Sequence, residues 1–194
     1  MNKINNNDSC QSGFTLIEMM ITIAVMGIAA MMAMSAWSNQ MARYEARSTM
    51  IEIAAVLKES ATDAMVMHRR QVVCFTANQL DCIGSGFTQI MSFTDTNKNA
   101  LRDVDESITL IVPVDLSYGQ LKLSAGLGSR GFVFMEDTGR PRGTQGNVTY
   151  CADNGDMTIA RSLIMSRQGR IRHSFDYNGD GVHDRSSRND PVGC

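Results

Sequence analysis

Glu18 is the only ionisable side chain between Phe14 and Trp37, a run otherwise made of apolar and small residues. A carboxylate at bilayer depth is expensive, and its usual work there is to pair with a cation or to dock a neighbouring helix. The Asp/Asn-rich segments offer a second chemistry. Asp176, Asn178, Asp180 and Asp184 place oxygen donors at alternate positions, with Gly181 sixth. This is the first half of a calcium loop, although Ser187 stands where a closing glutamate belongs. The segment from Asp95 to Glu106 has the reverse defect: the closing glutamate is present and Ala100 takes the glycine position. Both segments also suit plain Asx-rich turns. Catalysis finds less support. His68, His173 and His183 have no identifiable nucleophile partner, and the chain lacks a Gly-rich phosphate loop, a zinc motif and a serine elbow, so the reading is non-enzymatic.

These groups need elements to hold them. About 20 apolar residues cross a bilayer as a helix, which the run ending at Trp37 supplies. A secretory signal is the competing reading, with Ala33-Met34-Ser35 imitating its cleavage site. Yet only Lys3 stands against Asp8 in the leader, and Glu18 would interrupt the apolar core of such a signal. Ser38 to Met67 contains no proline or glycine and repeats small or apolar residues at Ile51, Ala54, Leu57, Ala61, Ala64 and Met65, so the helix is expected to continue and lay that stripe on a sheet. Arg43, Glu45, Arg47, Glu52, Lys58, Glu59 and Asp63 form the expected solvated face.

From Gln71 the period changes to two. Strands are expected at Gln71 to Phe75, Thr88 to Phe93, Ser107 to Val112, Gln120 to Ser124, Gly131 to Met135, Asn147 to Cys151, Ser162 to Ser166 and Arg170 to Ser174. Gln168-Gly169 reads as a tight hairpin turn between the last two. With 194 residues there is room for one membrane helix and one domain, and a net charge of −2 confines any nucleic-acid contact to a local basic patch. The fifteen methionines, concentrated in and after the apolar run, read as flexible apolar filler.

The stretch Gly13-Phe14-Thr15-Leu16-Ile17-Glu18, with its apolar continuation, resembles the type IV prepilin signature. That resemblance implies cleavage between Gly13 and Phe14 by a prepilin peptidase, methylation of the new Phe14 amine by the same enzyme, and a role for Glu18 in filament assembly. The freed amine would lie about one helical turn from the Glu18 carboxylate, so this chain's amine or a neighbour's can neutralise it. Further along come a strand ending in cysteine, an Asp/Asn turn, a Gly-Phe-Val-Phe run, a Thr-Tyr-Cys strand and Gly169-Arg170-Ile171-Arg172. In that order they resemble the FimT/GspH family of minor pilins and type II secretion pseudopilins.

Family membership implies an α+β fold, a long N-terminal membrane helix packed on a small domain of two antiparallel β-sheets. The chain then divides into a leader (1–13), a transmembrane half-helix (14–37), a periplasmic amphipathic half-helix (38–67), a β-rich domain (68–175) and an Asp/Asn/Gly-rich tail (176–194). The implied setting is the bacterial inner membrane, crossed once with the C-terminal domain periplasmic. Other pilins or pseudopilins are the implied partners, in a type IV pilus or a type II secretion filament. The tail departs from the family pattern, in which the chain commonly ends soon after Gly-Arg-x-Arg.

Two expectations depend on that topology. Cys10 leaves with the leader, and an even number of cysteines on the periplasmic side (Cys74, Cys82, Cys151, Cys194) suggests two disulfides. Of the three possible connectivities, Cys74–Cys82 closes a short loop and Cys151–Cys194 pins the C-terminus, and this pairing is preferred. In FimT-type pilins the Gly-Arg-x-Arg motif is associated with double-stranded DNA. Alternation puts Arg170 and Arg172 on one strand face about 7 Å apart, near the phosphate spacing of a nucleic-acid strand. Arg167 and Arg161 would enlarge the patch, Asp176 and Asp180 would offset it, and Gly139-Arg140-Pro141-Arg142 repeats the pattern elsewhere in the chain. Exposed arginines that merely keep an edge strand soluble are the alternative.

Overall fold

The computed structural model describes residues 14–124, 130–143, 146–187 and 190–194, with backbone alone for 32–36. The leader, including Gly13, lies outside them. Among the described residues one helix, α1, runs Leu16–Met67, followed by β1 (Gln71–Thr76), β2 (Gln89–Thr94), β3 (Ile108–Pro113), β4 (Gly119–Ser124), β5 (Gly131–Phe134), β6 (Gly146–Ala152), β7 (Arg161–Met165) and β8 (Ile171–His173). Each strand falls within a few residues of its expected place. The chain separates into two compact units, 1–38 and 39–194.

In the first unit Thr15 starts the helix, its hydroxyl and carbonyl both accepting from the Glu18 N–H. Described side chains from Phe14 to Met31 are exposed. Among the described residues no helix is long and apolar enough to cross a membrane. The transmembrane segment expected over 14–37 includes 32–36, whose side chains lie outside the description.

In the second unit, the rest of α1 packs on the strands. Ala42, Ala46, Met50, Ile53, Ala54, Leu57 and Ala64 recur at helical spacing and are buried. Two members of the expected stripe miss this face: Ile51 and Met65 are 55% and 41% exposed. Both sit one position after a buried residue, Met50 or Ala64, which turns them about 100° away from the core.

The eight strands form two antiparallel four-stranded sheets, ordered β3-β2-β1-β5 and β4-β6-β7-β8. Val73, Phe75, Ile90, Phe132 and Phe134 of the first and Leu121, Leu123, Val148, Tyr150, Leu163 and Met165 of the second share one core with α1. Alternation sends Val72, Cys74, Met91, Phe93 and Val133 to the other face of the first sheet, where Ala100, Cys82 and Ile108 cover them. That double burial explains why β1 is buried at every position while edge strand β3 alternates.

The tail is tied to the second sheet. Cys194 is disulfide-bonded to Cys151, and Lys122 Nζ donates to the Cys194 carbonyl. Phe175 bridges Asp184, which bridges Pro191, and Val192 and Asp184 are buried.

Candidate functional site

The Arg170–Arg172 hairpin is built by its turn. Gly169 adopts a φ of +81°, which glycine takes without the Cβ penalty. Its N–H donates to the Ser166 carbonyl, and the Arg170 N–H to the Ser166 hydroxyl. Met165 then pairs with Ile171, Ile164 with Arg172 and Leu163 with His173. Ile171 packs against the core, so Arg170 and Arg172, one position either side, turn outward, and both are exposed together with Arg167.

The second Gly-Arg-x-Arg stretch is a spatial neighbour. A methyl group placed on Gly169 would stand 3.3 Å from Pro141 Cδ and 3.8 Å from Arg140 Cα. Arg140 and Arg142 are exposed as well. Two stretches separated in sequence therefore meet at the Gly169 turn, a crest flanked in sequence by Arg140, Arg142, Arg167, Arg170 and Arg172. None of these five takes part in the ion pairs among the described residues.

Arg161 does not join this crest. It opens β7 opposite Tyr150, at the far end from the hairpin. A counter-charge not anticipated from the sequence stands near Arg172. Asp190, paired with Arg185 at 3.1 Å, is held below the ordinary carboxylate range first by its bond from Ser186, with smaller contributions from Arg185 and Arg172.

The calcium-type segments use their oxygens internally. Asp176 accepts the Gly179 and Gly181 N–H groups at 2.6 and 3.0 Å, Asn178 accepts that of Asp180, and Asp180 that of Val182. Asp184 is buried and takes the Tyr177 N–H. In the earlier segment Asp95 accepts the Asn99 and Ala100 N–H groups, while Glu106 accepts from Thr96 and Asp103. Ala100 adopts the positive φ (63°) for which glycine was expected. Among the described residues no group of three or more His, Cys, Asp or Glu is arranged to hold a metal ion. In both segments carboxylates accept backbone N–H groups in the manner of Asx turns.

Cys74 is bonded to Cys82 and Cys151 to Cys194, with Cα separations of 5.4 and 5.7 Å. The first closes the loop over the outer face of β1. Glu18 lies exposed in the first turn of α1, where a carboxylate favours the helix dipole.

Sequence reasoning missed Glu45, assigned there to the solvated face. Its carboxylate accepts the Tyr150 hydroxyl at 2.8 Å and the Ser117 and Tyr118 N–H groups at 2.7 and 3.0 Å. Burial, and then the Glu45 carboxylate, push the Tyr150 hydroxyl far above its ordinary range, so it stays a donor. Spacing offered one signal: Glu45 directly precedes Ala46 of the buried stripe and so flanks the core face.

Residues 8–34 match the family described as the prokaryotic N-terminal methylation motif. The chain carries the N-methylation motif of prokaryotic prepilin-like proteins. Read from Gly13 to Glu18 alone, the prepilin resemblance holds at that level. Over 112 residues this motif-bearing chain is 25% identical to a fimbrial protein of Pseudomonas aeruginosa, covering 56% of this chain and 71% of that one. Two similar solved structures are the type IV minor pilin FimU of Pseudomonas aeruginosa PAO1 and the minor pseudopilin EpsH from the type 2 secretion system of Vibrio cholerae. FimU is 17% identical, covering 67% of this chain and 88% of that one at a TM-score of 0.47. EpsH is 12% identical, covering 66% and 95% at 0.47.

Proposed function

We propose that this chain is a minor pilin or pseudopilin, a non-enzymatic subunit of a type IV pilus or type II secretion filament. The observation that carries the reading is the methylation motif across residues 8–34, with Glu18 in the first turn of the helix that follows. A prepilin peptidase that is also the N-methyltransferase cuts after Gly13 and methylates Phe14. The apolar run anchors the subunit in the inner membrane, and the disulfide-bearing domain faces the periplasm. Glu18 docks against the N-terminal amine of a neighbouring subunit in the filament. Intact mass of the protein isolated from membranes tests this: loss of residues 1–13 and one added methyl group is expected, and a mature start near Ala36 or Trp37 overturns it.

A finer reading places the subunit in the FimT/GspH branch and gives it DNA capture. Arg170 and Arg172, exposed and in no ion pair among the described residues, with Arg167 near them in sequence, support contact with the phosphates of double-stranded DNA. Without DNA binding, the remaining reading is a type II secretion pseudopilin acting in protein export.

A further inference from the structure

Away from the arginine crest, α1 and the start of β7 enclose a half-open groove of about 610 Å³. Gln40, Arg43, Tyr44, Arg47, Met50 and Ile51 line its helix wall. Arg161, Ser162, His173, Ser174 and His183 line the other. Among the described residues the lining contains no carboxylate, although Asp176 and Asp184 act on His183 from nearby.

Two of the guanidiniums are held in place by neutral groups. Arg161 is half-buried and donates from one nitrogen to the carbonyls of Thr158 and Ala160, both at 2.8 Å. Arg43 donates to the hydroxyl of the same Thr158 at 2.7 Å. One residue thus fixes both cations, and their charges face each other closely enough that Arg43, after burial, is a cause of the lowered Arg161 pKa. Arg47 completes the set from the next turn of the helix. None of the three is in an ion pair among the described residues. Arg43 acts on Asp156, one carboxylate oxygen of which accepts the Thr158 hydroxyl and N–H at 2.8 and 2.9 Å. Burial keeps His183 below its ordinary pKa, and its ring nitrogen lies 2.9 Å from the Ser174 carbonyl, so His183 adds little positive charge at neutral pH.

We propose that this groove binds a phosphate oxyanion through Arg43, Arg47 and Arg161. Like charges oriented by carbonyl and hydroxyl groups are costly while no anion is present, and a phosphate relieves that repulsion with forked, charge-assisted hydrogen bonds. A guanidinium whose orientation is already fixed loses little freedom on binding. The groove falls in the size range of small-ligand sites. Tyr44, 71% exposed at its rim, offers a flat face beside the cations, which suits a phosphate attached to a base or sugar as well as a free one. The shared chemistry is the phosphate group, and its source is either free phosphate or the end of a nucleic-acid strand. This site is separate from the crest of the proposed DNA contact and stands or falls independently of it.

The test titrates the full-length protein with orthophosphate and, in a second arm, with a five-nucleotide single-stranded thymidylate, at constant ionic strength set by chloride. Saturable binding by calorimetry is expected in at least one arm, weakened tenfold or more in Arg161→Gln. Arg161 also holds the Thr158 turn, so Arg47→Gln serves as the second variant; it makes no such bond and is expected to weaken binding about threefold to tenfold without altering the melting temperature. The arm that binds more tightly identifies the source. Absence of saturable binding in both arms overturns the proposal. So does binding unchanged in Arg47→Gln and Arg161→Gln, or binding lost in Arg170→Gln/Arg172→Gln instead.

Discussion

Tyr150 donates its hydroxyl to Glu45 at 2.8 Å across 105 residues of chain. The bond fastens α1 to the middle of the second sheet, and the same carboxylate caps the Ser117 and Tyr118 N–H groups leading into β4. Tyr150 is fully buried, so removing its acceptor strands a hydroxyl away from water. Glu45→Ala is expected to destabilise the protein by about 2–3 kcal/mol and Tyr150→Phe by about 1–2 kcal/mol. Glu45→Gln, which keeps an acceptor, should cost less than Glu45→Ala. Urea unfolding of the purified variants checks the ranking, and a neutral Glu45→Ala removes the anchor.

Gly139 is the contact point between the α1 end and the arginine crest. A methyl group added there would stand 2.5 Å from the Ala61 carbonyl and 2.8 Å from Met65 Cγ, at a φ of +61°. The backbone conformation and the packing both exclude a side chain, so Gly139→Ala should cost about 1–3 kcal/mol. Thermal melting is the measurement. An unchanged melting temperature would mean that the turn stands off the helix.

The fold was legible because its signals are local. The period changes from helical to two near Gln71, and Gly/Asn/Asp clusters punctuate every strand, so all eight strands could be placed. The cysteine pairing was also open to reading, since short loop closure and a pinned terminus are properties of sequence distance. What stayed hidden depends on which residues meet across the fold. Nothing in the spacing of Glu45 and Tyr150 announces their bond, and nothing in two separate Gly-Arg-x-Arg stretches says that Gly169 packs on Pro141. Arg161 misled for the opposite reason. It is near Arg167 in sequence, but a strand separates their ends. Asp and Asn runs are ambiguous in principle, because metal loops and Asx turns need the same residue types.

The Cys151–Cys194 bond closes a 43-residue separation and holds the tail against the second sheet. Within that closed segment Val192 donates its N–H to the His183 carbonyl, and Asp184 is buried. Cys194→Ser should therefore loosen residues 175–194 and cost about 2–4 kcal/mol, with faster amide exchange and protease cleavage confined to the tail. Non-reducing peptide mapping should find Cys74 joined to Cys82 and Cys151 to Cys194. A free thiol at Cys194 would contradict this, as would a tail equally protected in the variant.

The remaining prediction concerns DNA. If Arg170 and Arg172 engage phosphates, the protein should bind double-stranded DNA without sequence preference and with affinity that falls as salt rises. Arg170→Gln/Arg172→Gln should weaken binding and flatten the log–log salt slope by about two, one for each lost contact. Both side chains are exposed, so thermal stability should change by less than about 0.5 kcal/mol. Arg140 and Arg142 lie on the same crest through the packing of Gly169 on Pro141, so their replacement should weaken binding too, and they cannot serve as a control. Arg130, exposed just before β5 and so at the opposite end of that strand from the Arg140 turn, is the proper control, and its glutamine variant should bind as the parent does. Asp190 exerts a small opposing field on Arg172, so Asp190→Asn should tighten binding slightly. Absence of salt-sensitive binding, or an equal loss in the Arg130 variant, would remove the DNA contact and leave only the proposed filament role.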